Sequence, residues 1–288
     1  MEDILRPIYQ ERASSASTLG ILLVEKKNIV TDITDSFDYV LIVITNKEEP
    51  ELNIKHYSYQ DKKAALYVVG MKQVQEWLLL GSNRRLIEWL HNGKIIYDRN
   101  ENISQLKKEI MDFPFQGRKL KKGLEFAKLI RRYTDGKVFF DSEHYMDAYN
   151  NIIHSLHHLA RLAVIESGFY PEVTVWDQVK HIEPQIYKLY EELITSEEGL
   201  DKRLELLFLA SEFLIYSRTE TGTQHLMDIL SSREEPWTIN ELVNEKELKY
   251  YSVDLAPLIE YMIEKDLIEE VLIETKGNEI YHRLYKIK

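Results

Sequence analysis

The sequence predicts an α+β protein, and three observations carry that reading. The first is a pair of almost wholly apolar, β-branched runs, Ile21-Leu22-Leu23-Val24-Glu25 and Phe37-Asp38-Tyr39-Val40-Leu41-Ile42-Val43-Ile44, which have the composition of strands buried on both faces. The second is a helical periodicity that dominates from Gln116 to Leu230. The third is the order helix, helix, two-stranded hairpin that closes the chain after Pro236. Three domains are expected: 1–116 with a mixed sheet and helices, 117–232 as a helical bundle, and 233–288.

Taken in order, the chain opens with a helix to about Ser17, apolar at Ile4, Leu5, Ile8 and Tyr9. The two strands follow, separated by the polar stretch Thr31 to Ser36. Asn53 to Tyr59 alternates, Gln60-Asp61-Lys62-Lys63 turns, and Ala64 to Val69 returns as the second half of a hairpin. Met71 to Leu80 is helical up to Gly81-Ser82-Asn83, and Arg84 to Leu90 forms a second short helix. Asn92-Gly93 then turns the chain into the strand Lys94 to Tyr97, and the domain ends near Phe115.

The middle of the chain reads as helices over Leu120 to Arg132, Ser142 to Ser167, Trp176 to Thr195 and Leu200 to Tyr216. Breaks are expected at Asp135-Gly136, Gly168 to Glu172, Ser196 to Gly199 and Glu220-Thr221-Gly222. Connections this short imply antiparallel neighbours in a bundle. The last stretch gives helices over Thr238 to Leu248 and Val253 to Lys265, then a hairpin of Leu267 to Glu274 and Glu279 to Lys286 around Lys276-Gly277-Asn278. This is the outline of a winged helix-turn-helix.

Composition narrows the function classes. The 288 residues are 44% apolar and 30% charged, ordinary for a soluble protein. The absence of cysteine excludes disulfides and thiolate metal sites and fits a reducing, cytoplasmic setting. Met1-Glu2-Asp3-Ile4 does not start a signal peptide, and no apolar run approaches the ~20 residues that cross a bilayer, so no membrane partner is expected. Net charge is −11, and acidic residues outnumber basic ones in each of the three parts, which argues against non-specific binding to duplexes.

The two buried strands, with Asp38 at the entrance of the second, and the closing Asn92-Gly93-Lys94-Ile95-Ile96-Tyr97-Asp98 resemble the nucleotidyltransferase superfamily, the fold of kanamycin nucleotidyltransferase and of polymerase-β-like enzymes. As an architecture the whole chain resembles the nucleotidyltransferase-like proteins of Gram-positive bacteria, which add a helical substrate-binding-like domain and a winged-helix tail. The resemblance implies a Gly-Ser pair after the first strand, an Asp-x-Asp at the second, and a third carboxylate on an adjacent strand. Here Val24-Glu25 stands at the first position and Ser36-Phe37-Asp38 at the second, while neither Lys55 to Tyr59 nor Ala64 to Val69 has a carboxylate. Residues two apart on a strand share a face, so Ser36 and Asp38 are expected side by side with half the charge.

Two-metal phosphoryl transfer needs several oxyanions. Glycine lets backbone N–H groups close on a triphosphate, whereas Glu25 repels it. Asp38 is therefore the one candidate for catalysis and for a metal. No cofactor is implied beyond Mg²⁺, and that only if transfer survives. Asp32 and Asp35 read as solvated loop acids.

Other constellations have competing readings. Gly117-Arg118-Lys119-Leu120-Lys121-Lys122-Gly123, extended by Lys128, Arg131 and Arg132, is the concentrated basic run. Arg118, Lys119, Lys121 and Lys122 are the candidate phosphate contacts, against the reading of a solvated helix face. His154 and His158 have the i, i+4 spacing of a helical metal pair, but with Ser155, Leu156 and His157 between them helix packing is the better account. The second helix of the tail, Ser252 to Lys265, carries Asp254, Glu260 and Glu264 against Lys265. A major-groove position would repel it, so a protein contact or internal packing is favoured. The expected function is a nucleotidyltransferase-like protein with degenerate metal-binding carboxylates that binds a nucleotide, a single-stranded nucleic acid or a protein. The alternatives are an active Mg²⁺-dependent nucleotidyltransferase on a small hydroxylated substrate and a winged-helix transcriptional regulator.

Overall fold

The apolar run around Val40–Ile44 becomes the middle strand of a five-stranded mixed sheet in a computed structural model that describes residues 2–26, 34, 36–47, 52–112, 115–277 and 279–288. Strands β1 (Thr18–Glu25), β2 (Tyr39–Thr45), β3 (Asn53–Tyr59), β4 (Lys62–Gly70) and β5 (Lys94–Asp98) lie in the order β3-β4-β2-β1-β5. β2 is parallel to β4, with Tyr39 opposite Ala64, and every other pairing is antiparallel.

Val40 to Ile44 are all at most 1% exposed, as a strand covered on both faces requires. Alternate residues serve opposite layers. Val40, Ile42 and Ile44 join Leu22 and Val24 under α2 (Met71–Leu80), α3 (Arg84–Asn92) and α4 (Asn102–Asp112). Leu41 and Val43 join Ile21 and Leu23 over Leu5 of α1 (Glu2–Ser14). Helix α4 is an addition to the sequence reading. Its start is fixed by Asp98, whose carboxylate accepts the N–H groups of Ile103 (2.8 Å) and Ser104 (3.0 Å) and the Ser104 hydroxyl (2.7 Å). Residues 1–114 and 170–173 form one compact unit.

The second unit, 115–169 and 174–288, is helical with a small terminal sheet. It holds α5 (Phe115–Asp141), α6 (Tyr145–Glu166), α7 (Val175–Ile182), α8 (Pro184–Thr195), α9 (Leu200–Tyr216) and α10 (Thr219–Leu230). Three expected boundaries are corrected. Helix α5 runs through Asp135-Gly136, because Gly136 is a contact point: a Cβ there would lie 3.2 Å from both Asn151 Cβ and the Phe208 ring. Gly222 likewise sits inside α10, where a Cβ would come within 2.3 Å of the Phe126 ring. The expected single helix Trp176–Thr195 is two, because Pro184 cannot donate to the preceding turn and starts a new helix instead.

The tail begins with the short strand β6 (Trp237–Thr238) and α11 (Ile239–Asn244), opened by a reciprocal Thr238–Glu241 capping box. A single 3₁₀ turn, Ser252–Asp254, leads into α12 (Leu255–Glu264), and β7 (Ile268–Glu274) pairs with β8 (Tyr281–Ile287) as the wing. It packs into the same unit as the helices. Tyr251 is fully buried with its hydroxyl 3.1 Å from His225 Nδ1, Thr219 and Tyr261 share a 2.6 Å hydrogen bond, and Arg131 of α5 forms an ion pair with Asp254.

Candidate functional site

At the entrance of β2 the local geometry departs from the expected pairing of Ser36 with Asp38. Phe37 N–H donates to Thr34 O (3.1 Å) and the Thr34 hydroxyl donates to Phe37 O (2.6 Å), so Ser36 lies exposed in a tight turn ahead of the strand. The same-face periodicity of a strand therefore does not apply to the pair. The Asp38 carboxylate accepts the Lys63 N–H (2.8 Å), while Asp38 N–H donates to Lys63 O (2.9 Å). It thus ties the start of β2 to the start of β4. Asp32 and Asp35 lie outside the described residues, and among the described residues no group of three or more His, Asp or Glu is placed to hold a metal ion.

The basic run divides by direction. Lys119 forms an ion pair with Asp228 of α10 and Arg131 one with Asp254, so both fasten α5 to its neighbours. Arg118 and Lys122 are half-buried on α5. Lys121 turns inward and is 3% exposed; burial pulls its ammonium down to about 7 from the usual 10.5, partly offset by Glu125.

Lys121 belongs to a charged seam where α5 and α6 pack antiparallel, a direction set by Glu125 against His158 and Arg132 against Asn151. Glu125 is 4% exposed, and its Oε2 lies 2.7 Å from His158 Nδ1. Lys128 Nζ is 3.7 Å from Oε1 and Arg161 Nη1 3.8 Å from Oε2. Burial pushes the carboxyl up. The His158 hydrogen bond, with the charges of His158, Lys128 and Lys121, outweighs burial and leaves it below its ordinary range.

The cations of α5 stand out in the sequence as a run, whereas Glu125 and Arg161 do not. A signal was present: Lys121, Glu125 and Lys128 recur at i, i+4, i+7 on α5, and His154, His158 and Arg161 do so on α6. His157 points the other way, onto Trp176 and Tyr190 at 5.1 and 5.9 Å between ring centroids.

The tail's second helix buries Leu255, Leu258, Ile259 and Met262. Its Glu260 is bound by both terminal nitrogens of Arg283 at 2.8 and 3.1 Å, and Asp254 by Arg131. These carboxylates are already engaged within the unit.

Three family descriptions match consecutive parts of the chain: "Nucleotidyltransferase-like" over residues 1–118, "YgxA-like substrate binding domain" over 119–218, and "Helix-turn-helix domain" over 224–287. A curated relative, the "Uncharacterized protein YgxA" of Bacillus subtilis (strain 168), is 50% identical over 288 residues, 100% of this chain and 98% of its own. The chain belongs to the YgxA family. A solved structure, the nucleotidyltransferase-like protein from Exiguobacterium sibiricum 255-15, superposes on this YgxA-family chain with a TM-score of 0.84 at 40% identity, covering 100% of this chain and 99% of that one. The nucleotidyltransferase-like N-terminal region, the YgxA-like helical domain and the helix-turn-helix region are thereby established. Among the described residues no helix is long and apolar enough to cross a membrane.

Proposed function

We propose that this YgxA-family protein uses the nucleotidyltransferase fold to bind a ligand and does not transfer a nucleotide. The observation that carries the reading is at Asp38: the carboxylate left at the expected Asp-x-Asp is spent on a backbone N–H of β4, and the position two residues before it is a serine turned out to solvent. A carboxylate that holds strand ends together is poorly placed to bridge two metal ions as well. Val24 and Glu25, at the end of β1 where the fold's Gly-Ser would stand, remove the close backbone approach and add a negative charge.

The helix-turn-helix region keeps open a nucleic-acid partner, while the ion pairs of Asp254 with Arg131 and of Glu260 with Arg283 favour an internal role for α12. Transfer is tested with the four nucleoside triphosphates labelled at the α-phosphate and Mg²⁺, scoring pyrophosphate release and label on small hydroxylated acceptors. Neither is expected above the rate of Asp38→Ala. Turnover that Asp38→Ala abolishes overturns the reading.

A further inference from the structure

The seam between α5 and α6 has more positive charge than its carboxylate can use. Three basic side chains, Lys128, His158 and Arg161, lie within 4 Å of the carboxylate of Glu125. A buried ion cluster is tolerated when its charges are matched, and each unmatched ion destabilises it. The mismatch occurs in a chain of net charge −11, so it does not reflect a general excess of lysine and arginine.

A second observation is independent of charge. Arg161 Nε is buried and makes no hydrogen bond among the described residues, although its Nη1 faces Glu125. A buried guanidinium N–H without an acceptor marks a place where an acceptor belongs. Arginine beside lysine is the usual combination for planar recognition of a phosphate plus a point charge. A divalent cation is disfavoured here, since the cluster is already cationic. Only His154 and His158 offer ring nitrogens at a ligand spacing, and His158 Nδ1 is taken by Glu125.

We propose that the α5–α6 seam binds a phosphate-class oxyanion, free or as the phosphate group of a small molecule, through Arg161, Lys128 and His158, with Glu125 holding the His158 ring so that its Nε2 faces the ligand. Lys121, whose ammonium burial pulls down to about 7, takes up a proton from solvent as the anion enters and adds its charge to the site. This goes beyond the reading above, which concerns the N-terminal fold, by giving the helical domain a ligand class and a place. The transfer assay at Asp38 does not involve the seam, so the two can fail separately.

The test is calorimetry on the full chain without divalent metal, with pyrophosphate and ATP as probes at two salt concentrations. Wild type is expected to bind both, more weakly at high salt. Arg161→Met and Lys128→Met should each weaken binding by about ten-fold, the loss of one charge-assisted hydrogen bond. Lys202→Met, in the first turn of α9 and paired at the surface with Glu198, should leave it unchanged. Glu125→Gln, which removes the competing charge, should tighten it. Equal affinities for the two probes assign the site to phosphate alone, and a tighter ATP assigns it to a nucleotide.

Arg161→Lys keeps the charge and loses Nε, and it should weaken binding even if the methionine variants fold poorly. The melting temperature of the wild type should also rise in phosphate relative to chloride at equal ionic strength. No binding of either probe at millimolar concentration overturns the proposal, as does binding unaltered in Arg161→Met, Lys128→Met and Arg161→Lys, or an equal loss in Lys202→Met. Affinity confined to single-stranded RNA overturns it too.

Discussion

Asp38 and His225 show how single side chains divide between structure and function. Asp38 joins the first turns of two parallel strands, so Asp38→Ala should destabilise the N-terminal unit by about 1 kcal/mol, the net worth of one hydrogen bond. Asp38→Asn keeps an acceptor for the Lys63 N–H and should cost less; urea unfolding of both variants measures the difference. A carboxylate kept only for metal would show the reverse, activity lost with stability unchanged.

His225 is buried against Tyr251, and burial, with the Lys119 charge second, holds it down at about 4 instead of 6.5. Above pH 6.5 neither folded nor unfolded state binds this proton. As pH falls from about 6.5 to 4 the unfolded chain takes it up first, so stability falls with pH through that window. His225→Gln should flatten the decline in thermal midpoint over that range, and an unaltered slope would remove His225 from the account.

At the scale of elements, the strands were readable because a strand buried on both faces announces itself in composition alone: Val40 to Ile44 sit where the apolar run places them. Pro184 divides one expected helix by its own chemistry, whereas at the two helix-interior glycines a neighbour overrides the local rule. Gly136 and Gly222 read as helix ends, yet each lies mid-helix where an aromatic ring packs against its missing side chain. Gly222→Ala gains about 1 kcal/mol of helix propensity. It drives a methyl into the body of the Phe126 ring, an overpacking that costs about 1–3 kcal/mol. The variant should therefore melt lower than wild type, and a higher melting temperature would mean that Phe126 moves aside freely.

The charged seam was half legible for the same reason. The α5 cations are a run in sequence, but Glu125 and Arg161 acquire meaning only once α6 lies antiparallel beside them. Ser36 escaped because strand periodicity was extended three residues before β2 begins, into a turn closed by Thr34.

For the molecule as a whole, the tail is part of the second unit's core. Tyr251, Leu255, Leu258 and Met262 are buried, and Tyr261 packs edge-on to Phe126 at 5.7 Å. Deleting 236–288 strips these contacts from α5 and α10 and should lower the melting temperature and raise binding of an apolar dye, where a freely tethered tail would change neither. The acidic balance of the chain, with Lys121 turned inward and Lys119 and Arg131 paired with carboxylates, leaves local sites rather than a general field to select any anionic ligand.

The central claim is that the N-terminal fold no longer assembles a metal–triphosphate site around Asp38. Calorimetry of the full chain with ATP, GTP, CTP and UTP in the presence of Mg²⁺ tests it most directly, with wild type and Asp38→Ala compared side by side. Any binding should be the same in both proteins and should not require Mg²⁺. A micromolar, Mg²⁺-dependent affinity that disappears in Asp38→Ala would contradict the claim and restore the N-terminal unit as a nucleotidyltransferase.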